Sequence, residues 1–362
     1  MNRSAQDIEG LRPPIDWSKV HRVLLVRLRS IGDTVLMTPC LQALNDSQPA
    51  VEISVVTESL AAPVLEGHPL VGQLFVSSDS AFARLSLVSR LRRHRFDVAF
   101  DLHGGTTAKL LTAMSGARYT VGYRGRPGSW LLSERAPDPN VILGRGVVHS
   151  VEQQLALLQW TGVPQTGQPR LSLAVDSSSA TSLRSRLTTA DIPHGDLASA
   201  RFAIVAPGAA FESKRWSGRC FASLIDHLAG RWQIKSIVVA GPGQEHLARE
   251  VAGTSRSGAT VLSQITVGEL KALVQMFGRV FVGNDSGPMH IAAAFGCPIV
   301  AVFGSSNPDV WHPWTTTPYR VLGGERGVPD SGVRGAIDRV ETEQAIVALD
   351  DVLETAAARA NS

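Results

Sequence analysis

Along this chain, short runs in which every residue is apolar alternate with longer segments whose apolar residues recur every three or four positions. An unbroken apolar run suits a strand buried on both faces of a parallel sheet, and the longer spacing suits an amphipathic helix. In the first half the pattern predicts strands at Arg22–Leu28, Val51–Val56, Phe75–Val76 and Asp97–Leu102. Helices are predicted at Thr34–Leu44, with Pro39 kinking it, at Ala81–His94 and at His149–Trp160. In Ala81–His94 the residues Phe82, Leu85, Val88 and Leu91 share one face, which is expected to be the buried one. Val121 to Arg126 is glycine-spaced and basic, and reads as a loop. After a short strand at Leu171–Val175, the stretch from about Pro164 to Ala200 turns polar and serine-rich, as a connection between domains would, with a helix near Leu183–Leu187.

From Phe202 the alternation restarts. Strands are predicted at Phe202–Ala206 and Ile237–Ala240, and Thr266 with Glu269 forms a capping box that opens a helix running to Phe277. Arg279 to Gly304 then reads as one unit of strand, tight turn, helix and strand. Val280–Val282 is the first strand, Pro288 sits in the first helical turn, Met289–Phe295 is the helix, and Ile299–Phe303 is the second strand. The free N–H groups at that helix start point to the carboxyl edge of the sheet, where they can meet phosphate; an ordinary βαβ unit would share the same spacing. A last helix is expected at Glu343–Ala358. The two βαβα series imply an α/β protein of two doubly wound, Rossmann-like domains facing a cleft, with ligands outside the carboxyl ends of the strands. The expected division is an N-terminal extension at 1–19, a domain at 20–175, a linker at 176–200, a second domain at 201–340 and a C-terminal helix at 341–362.

Composition narrows the function classes. Lys plus Arg is 35 and Asp plus Glu is 32, a balance of +3 that does not suit a nucleic-acid binder. No apolar run free of Gly and Pro is long enough for a bilayer, and the N-terminus lacks an apolar signal core, so a cytoplasmic protein is expected. Cys40, Cys220 and Cys297 are odd in number and far apart; they suit reduced thiols rather than a disulfide frame or a zinc site.

Several segments together resemble one family: Ile31-Gly32-Asp33 after an apolar strand, Asp101-Leu-His-Gly104, Gly122-Tyr-Arg-Gly-Arg126, Lys214-Arg-Trp216, and Asn284-Asp-Ser-Gly-Pro-Met-His290. In this order they are similar to the ADP-heptose:lipopolysaccharide heptosyltransferases, glycosyltransferase family 9, over residues 20–355. The resemblance implies a GT-B fold whose first domain binds the acceptor and whose second binds the sugar nucleotide. It implies inverting, metal-independent transfer of heptose from ADP-heptose to a lipid A–Kdo inner core or a related acceptor, with no cofactor. The absence of a D-x-D motif agrees with that. A monomer with peripheral contact to the inner membrane is the expected form.

The resemblance makes Asp33 the general base, since an inverting displacement needs the acceptor hydroxyl deprotonated as it attacks. A helix cap is the plainer role for an Asp at that place. Lys214 is the expected cation for the leaving diphosphate. The family often has a hydroxyl residue four positions earlier; here it is Ala210, and Ser213 is the nearest substitute. Asp285 would repel a diphosphate, so it is expected to cap the helix or to hold Lys214 while Ser286 and Gly287 offer N–H groups. His290 lies one turn on, to reach phosphate or to hold the loop. Glu245 is the expected ribose contact by resemblance. On the acceptor side the candidates are His103, Arg124 and Arg126. Arg92, Arg93 and Arg95 could extend that basic face, although a solvated helix end explains Arg92 and Arg93 as well. Two other functions compete with this one. A nicotinamide-type oxidoreductase would need G-x-G-x-x-G, which the Arg29–Asp33 turn lacks. A catalytically silent sugar-nucleotide or glycan-binding relative, or a transferase of another nucleotide sugar, would share most of the same residues.

Overall fold

The structure is a computed structural model that describes residues 15–78, 80–165, 167–190, 201–326 and 334–360. It divides into two compact units, Met1–Ala174 and Val175–Ser362. The first unit holds strands β1 (Arg22–Val26), β2 (Glu52–Glu58), β3 (Gln73–Ser77), β4 (Val98–Asp101), β5 (Tyr119–Tyr123) and β6 (Glu134–Ala136). Its helices are α1 (Ile31–Ser47), α2 (Ala62–Leu65), α3 (Ala81–Arg93), α4 (Thr106–Met114), α5 (Pro139–Leu143) and α6 (Ser150–Trp160). The second unit holds β7 (Phe202–Ala206), β8 (Ser236–Ala240), β9 (Thr260–Ser263), β10 (Gly278–Asn284), β11 (Ile299–Phe303) and β12 (Tyr319–Gly323). Its helices are α7 (Ser177–Thr189), α8 (Gly218–Trp232), α9 (Glu245–Thr254), α10 (Val267–Phe277), α11 (Gly287–Ala294), α12 (Pro308–Trp311) and α13 (Thr342–Ala360).

Each unit is built on one six-stranded sheet, in the orders β3-β2-β1-β4-β5-β6 and β12-β11-β10-β7-β8-β9, and the paired strands are parallel. Val23 to Val26 and Phe202 to Val205 are buried at the centres of these sheets, as continuous apolar strands covered on both faces must be. Register decides what meets at the carboxyl edge. Val26 on β1 pairs with Asp101 on β4, so the next residues, Arg27 and Leu102, emerge side by side. Gly283 on β10 pairs with Ala206 on β7 and Asn284 with Val302 on β11, which brings Asp285 between the ends of β7 and β11. Both edges lie where the winding of the sheet reverses, the place at which such folds bind ligands.

Four expectations change. The helix expected near Leu183–Leu187 is α7, which is longer than that reading and fills the 177–189 part of the expected linker. Asp176 caps it by accepting from Ser179 N at 2.8 Å, Leu183 and Leu187 bury one turn apart, and Arg186 pairs with Glu269 of α10 at 2.8 Å. The leucine spacing marked this helix's centre, while its serine-rich ends gave no apolar signal of its length. Residues 191–200, the rest of the expected linker, and 1–14 of the expected extension lie outside the described residues. Leu171–Val175 forms no strand: Ser172 N donates to a side chain, Thr38 Oγ1 at 3.0 Å, rather than to a neighbouring strand, and Ser172 Oγ lies 2.9 Å from His68 Nε2. Val121–Tyr123 is strand β5, and only Arg124 to Arg126 are loop. On α3, Leu87, Val88 and Leu91 are buried whereas Phe82 and Leu85 face solvent.

Pro39 does sit inside α1, where it cannot donate to Val35 O; Thr38 Oγ1 donates to that carbonyl instead, at 2.8 Å. Cys40 on α1 and Cys297 before β11 are buried free thiols. Burial raises the Cys40 thiol above its usual range and pushes Cys297 up to about 12. No helix among the described residues is long and apolar enough to cross a membrane.

Candidate active site

In the first unit the site is assembled where β1 meets β4. Helix α1 begins at Ile31, earlier than the spacing suggests, so Asp33 lies in its first turn rather than in the preceding loop. One carboxylate oxygen, Oδ2, accepts from Ser30 N at 2.9 Å and Ser30 Oγ at 3.0 Å, closing the helix start. The other, Oδ1, pairs with the Arg27 guanidinium. Arg27 also donates from Nη1 to Leu102 O at 2.5 Å, which fixes it against the end of β4. Asp33 is therefore a cap and an ion-pair partner at once, with a side chain that keeps 21% of its exposure.

His103 follows β4 on a turn held from beneath. Asp101 Oδ1 accepts from His103 N at 3.1 Å and Gly104 N at 2.8 Å, and buried Lys109 lies 3.7 Å from Asp101 Oδ2 while donating to Gly104 O. Burial raises the Asp101 carboxyl above its ordinary value. Burial, with the neighbouring Arg27 cation, lowers His103 to about 4, so the imidazole is neutral at pH 7. Gly104 has φ +80, and a Cβ there would lie 2.6 Å from Arg126 Nη1. Arg126 thus reaches the His103 turn, and its guanidinium also lies 5.8 Å from the Tyr123 ring centre. Arg124 is exposed, with its N–H bound to Ala136 O at 2.9 Å. The structure gathers Asp33, His103 and Arg126 near one edge, and adds Arg27. Sequence reading passed over Arg27 because it ends a strand; the signal was a cation directly after four apolar residues.

In the second unit the site lies where β7 meets β10. Lys214 stands in a short turn, Glu212–Lys214, and its Nζ pairs with Asp285 Oδ2 at 2.8 Å. Ser306 Oγ donates to the same oxygen. Of the two roles open to Asp285, the structure shows the one that holds Lys214. Asn284 anchors the lysine's loop: its Oδ1 accepts from Trp216 N at 3.1 Å and its Nδ2 donates to Pro207 O at 2.8 Å. The Trp216 indole donates to Val340 O at 2.9 Å. Gly304 lets the loop sit close, since a Cβ there would run into the backbone of Ser213 and approach Lys214 Cα at 3.0 Å. Ser213 Oγ lies 3.2 Å from Ser305 Oγ, so this hydroxyl is already engaged.

Ser286 precedes α11, and Pro288 lies in the helix's first turn. The N–H of Gly287 therefore opens the helix at the carboxyl edge beside Lys214, a place suited to an anion. His290, one turn on along α11, is buried, with 3% of its surface exposed. Glu245 begins α9 after β8, and its carboxylate accepts from Gly243 N at 3.2 Å, which folds the turn on that edge. Ser305 and Ser306, directly after β11, are buried and polar, and nothing in the sequence pattern singles them out. Among the described residues, no group of three His, Cys, Asp or Glu could hold a metal ion.

The family described as Glycosyltransferase family 9 (heptosyltransferase) matches residues 84–331. Lipopolysaccharide heptosyltransferase 3 of Escherichia coli is 26% identical over 341 residues, spanning 90% of this chain and 95% of its own. Among solved structures, the family 9 glycosyl transferase of Veillonella parvula aligns with a TM-score of 0.81 at 21% identity, covering 95% of this chain and 99% of that one. Escherichia coli ADP-heptose lps heptosyltransferase II aligns at 0.73 with 22% identity, covering 92% and 98%. These structural likenesses carry the fold, a GT-B pair of Rossmann-like units.

Proposed function

This chain belongs to glycosyltransferase family 9, and on that premise we propose that it transfers heptose from ADP-heptose to a lipopolysaccharide inner-core acceptor of the lipid A–Kdo type, or a related one, with inversion and without a metal ion. The second unit takes the donor. Lys214 and the N–H groups opening α11 meet the diphosphate, Glu245 meets the ribose, and Asp285 keeps the ammonium in place. The first unit takes the acceptor. Arg124 and Arg126 meet its anionic groups, and neutral His103 hydrogen-bonds a sugar hydroxyl. Asp33 accepts the proton of the attacking hydroxyl as its oxygen bonds to the anomeric carbon. The bond from that carbon to the diphosphate breaks, and ADP leaves with the electron pair and gains the stabilisation of the Lys214 cation. The enzyme works in peripheral contact with the membrane that bears its acceptor.

The observation that carries this reading is the anchored Lys214 beside the start of α11: a fixed cation and a helix N-terminus converge on one edge, as a departing diphosphate requires. The test is incubation of the protein with ADP-heptose, other nucleotide sugars and a panel of core acceptors, with product masses and anomeric configuration determined with and without chelator. ADP-heptose is expected to be the substrate, with inverted product and turnover unchanged by chelator. Use of another donor, retention, or loss of turnover on chelation would each replace the corresponding part of the proposal.

A further inference from the structure

Helix α3 has a face that the fold does not use. Its inward side is Leu87, Val88 and Leu91, all buried under the first sheet. The opposite side carries Phe82, 83% exposed, and Leu85, 64% exposed, one turn apart. The helix's last turn carries exposed Arg90, Arg92 and Arg93, Arg93 on the side of Phe82 and the other two on its flanks, with exposed Arg95 just beyond. From Ser80 to Phe96 the sequence has no Asp or Glu. Among the described residues the ion pairs of this unit involve none of Arg90, Arg92, Arg93 and Arg95. Arg92 and Arg93 reach backbone carbonyls, Met114 O at 3.0 Å and Ser89 O at 3.3 Å, and Arg90 lies 5.3 Å from the Phe75 ring centre. Among the described residues no carboxylate pairs with them.

A helix C-terminus favours cations, which accounts for the arginines in isolation. It gives no reason for a phenylalanine and a leucine held in water on the same face. Two exposed apolar side chains on a helix that ends in exposed guanidiniums match a surface that is anionic at its boundary and apolar just beneath. We infer that the outward face of α3 is a docking surface for a membrane leaflet rich in anionic lipid, with Phe82 and Leu85 entering the acyl boundary and the Arg90–Arg95 cluster lying on the headgroups. The inference names the surface for the membrane contact proposed above. Its main test does not depend on heptosyl transfer.

The experiment is sedimentation of the full chain with vesicles of phosphatidylethanolamine and phosphatidylglycerol, and with phosphatidylcholine vesicles as the neutral control. The wild type should bind the anionic vesicles and not the neutral ones, less strongly as salt is added. Phe82→Ser/Leu85→Ser should weaken binding by about tenfold or more, as should Arg90→Gln/Arg93→Gln, with melting temperatures unchanged. With a water-soluble acceptor the Phe82→Ser/Leu85→Ser variant should turn over like wild type, and with an acceptor embedded in vesicles it should be slower. Failure of the wild type to bind anionic vesicles, equal binding to neutral ones, or wild-type binding by either double variant would overturn the inference. An inactive protein whose vesicle binding follows this pattern would overturn the proposed reaction and leave the docking surface standing.

Discussion

In the first unit the cation of the ion pair is the sheltered partner: the Arg27 side chain is 9% exposed and Asp33 is 21% exposed. In the second unit the order is reversed, with Lys214 at 18% and Asp285 at 6%. Each pair sits at the carboxyl edge of a parallel sheet, at the reversal of its winding, and each has a serine supporting the acid. The difference lies in which member the fold buries. A buried counter-ion holds its partner in place and leaves that partner's charge for the ligand. One unit therefore presents an anchored carboxylate and the other an anchored ammonium, the two charges that the proposed proton transfer and diphosphate departure call for.

The sharpest way to break this comparison is to remove the presented group on the acceptor side. Asp33→Asn should lower kcat by about 10²–10⁴-fold with donor affinity intact. It also leaves Arg27 without its anion, so the melting temperature should fall, by about 1–3 kcal/mol of stability. A stable variant with wild-type turnover would reduce Asp33 to a helix cap. On the donor side, Lys214→Ala should slow transfer by about 10²–10³-fold and weaken sugar-nucleotide binding, measured by kinetics and calorimetry. Unchanged donor affinity would mean that the second unit's pair is only structural.

A smaller effect is expected at the rim. Arg124→Ala and Arg126→Ala should each raise the acceptor KM by roughly fivefold, a change that shrinks as salt is added, with donor KM unaffected. A donor defect would reverse the assignment of the units to substrates. The smallest effect concerns protons. NMR titration should find His103 neutral from pH 7 down to about 5, with its midpoint near 4. Unfolded, this side chain takes up its proton near 6.5, so its contribution to stability is intact above that pH and is lost as pH falls from there towards 4. A folded midpoint near 6.5 would show that neither burial nor Arg27 controls it.

Much of this was legible in the chain because strand ends are legible. Continuous apolar runs such as Val23–Val26 and Ile299–Phe303 mark parallel strands, and whatever follows them stands at the ligand edge. Asp33, His103, Lys214 and Asp285 all stand beyond such ends, and their expected roles come from the resemblance to the family. What stayed hidden depends on contacts between distant segments. Arg27 acquires meaning only when register sets it beside Leu102 and when α1 starts early enough to turn Asp33 back towards it. Ser306 matters only because β11 lies beside β10. Helix α7 was readable at Leu183–Leu187, but its full length and its tie to Glu269, more than 80 residues away in sequence, were not. The outward side of α3 misled periodicity, since Phe82 and Leu85 carry the apolar spacing without the burial it normally signals.

The buried thiols have an experimental use. Cys40 belongs to the first unit and Cys297 to the second, and burial holds both in the unreactive protonated form. Alkylation of either can proceed only after its own unit opens, so the label on each cysteine, read by mass after proteolysis, acts as a separate clock. With half-buried Cys220 replaced by serine, the two halves of the chain can be timed independently without an added probe. Donor added to the solution should slow the clock at Cys297 and leave the one at Cys40 running as before.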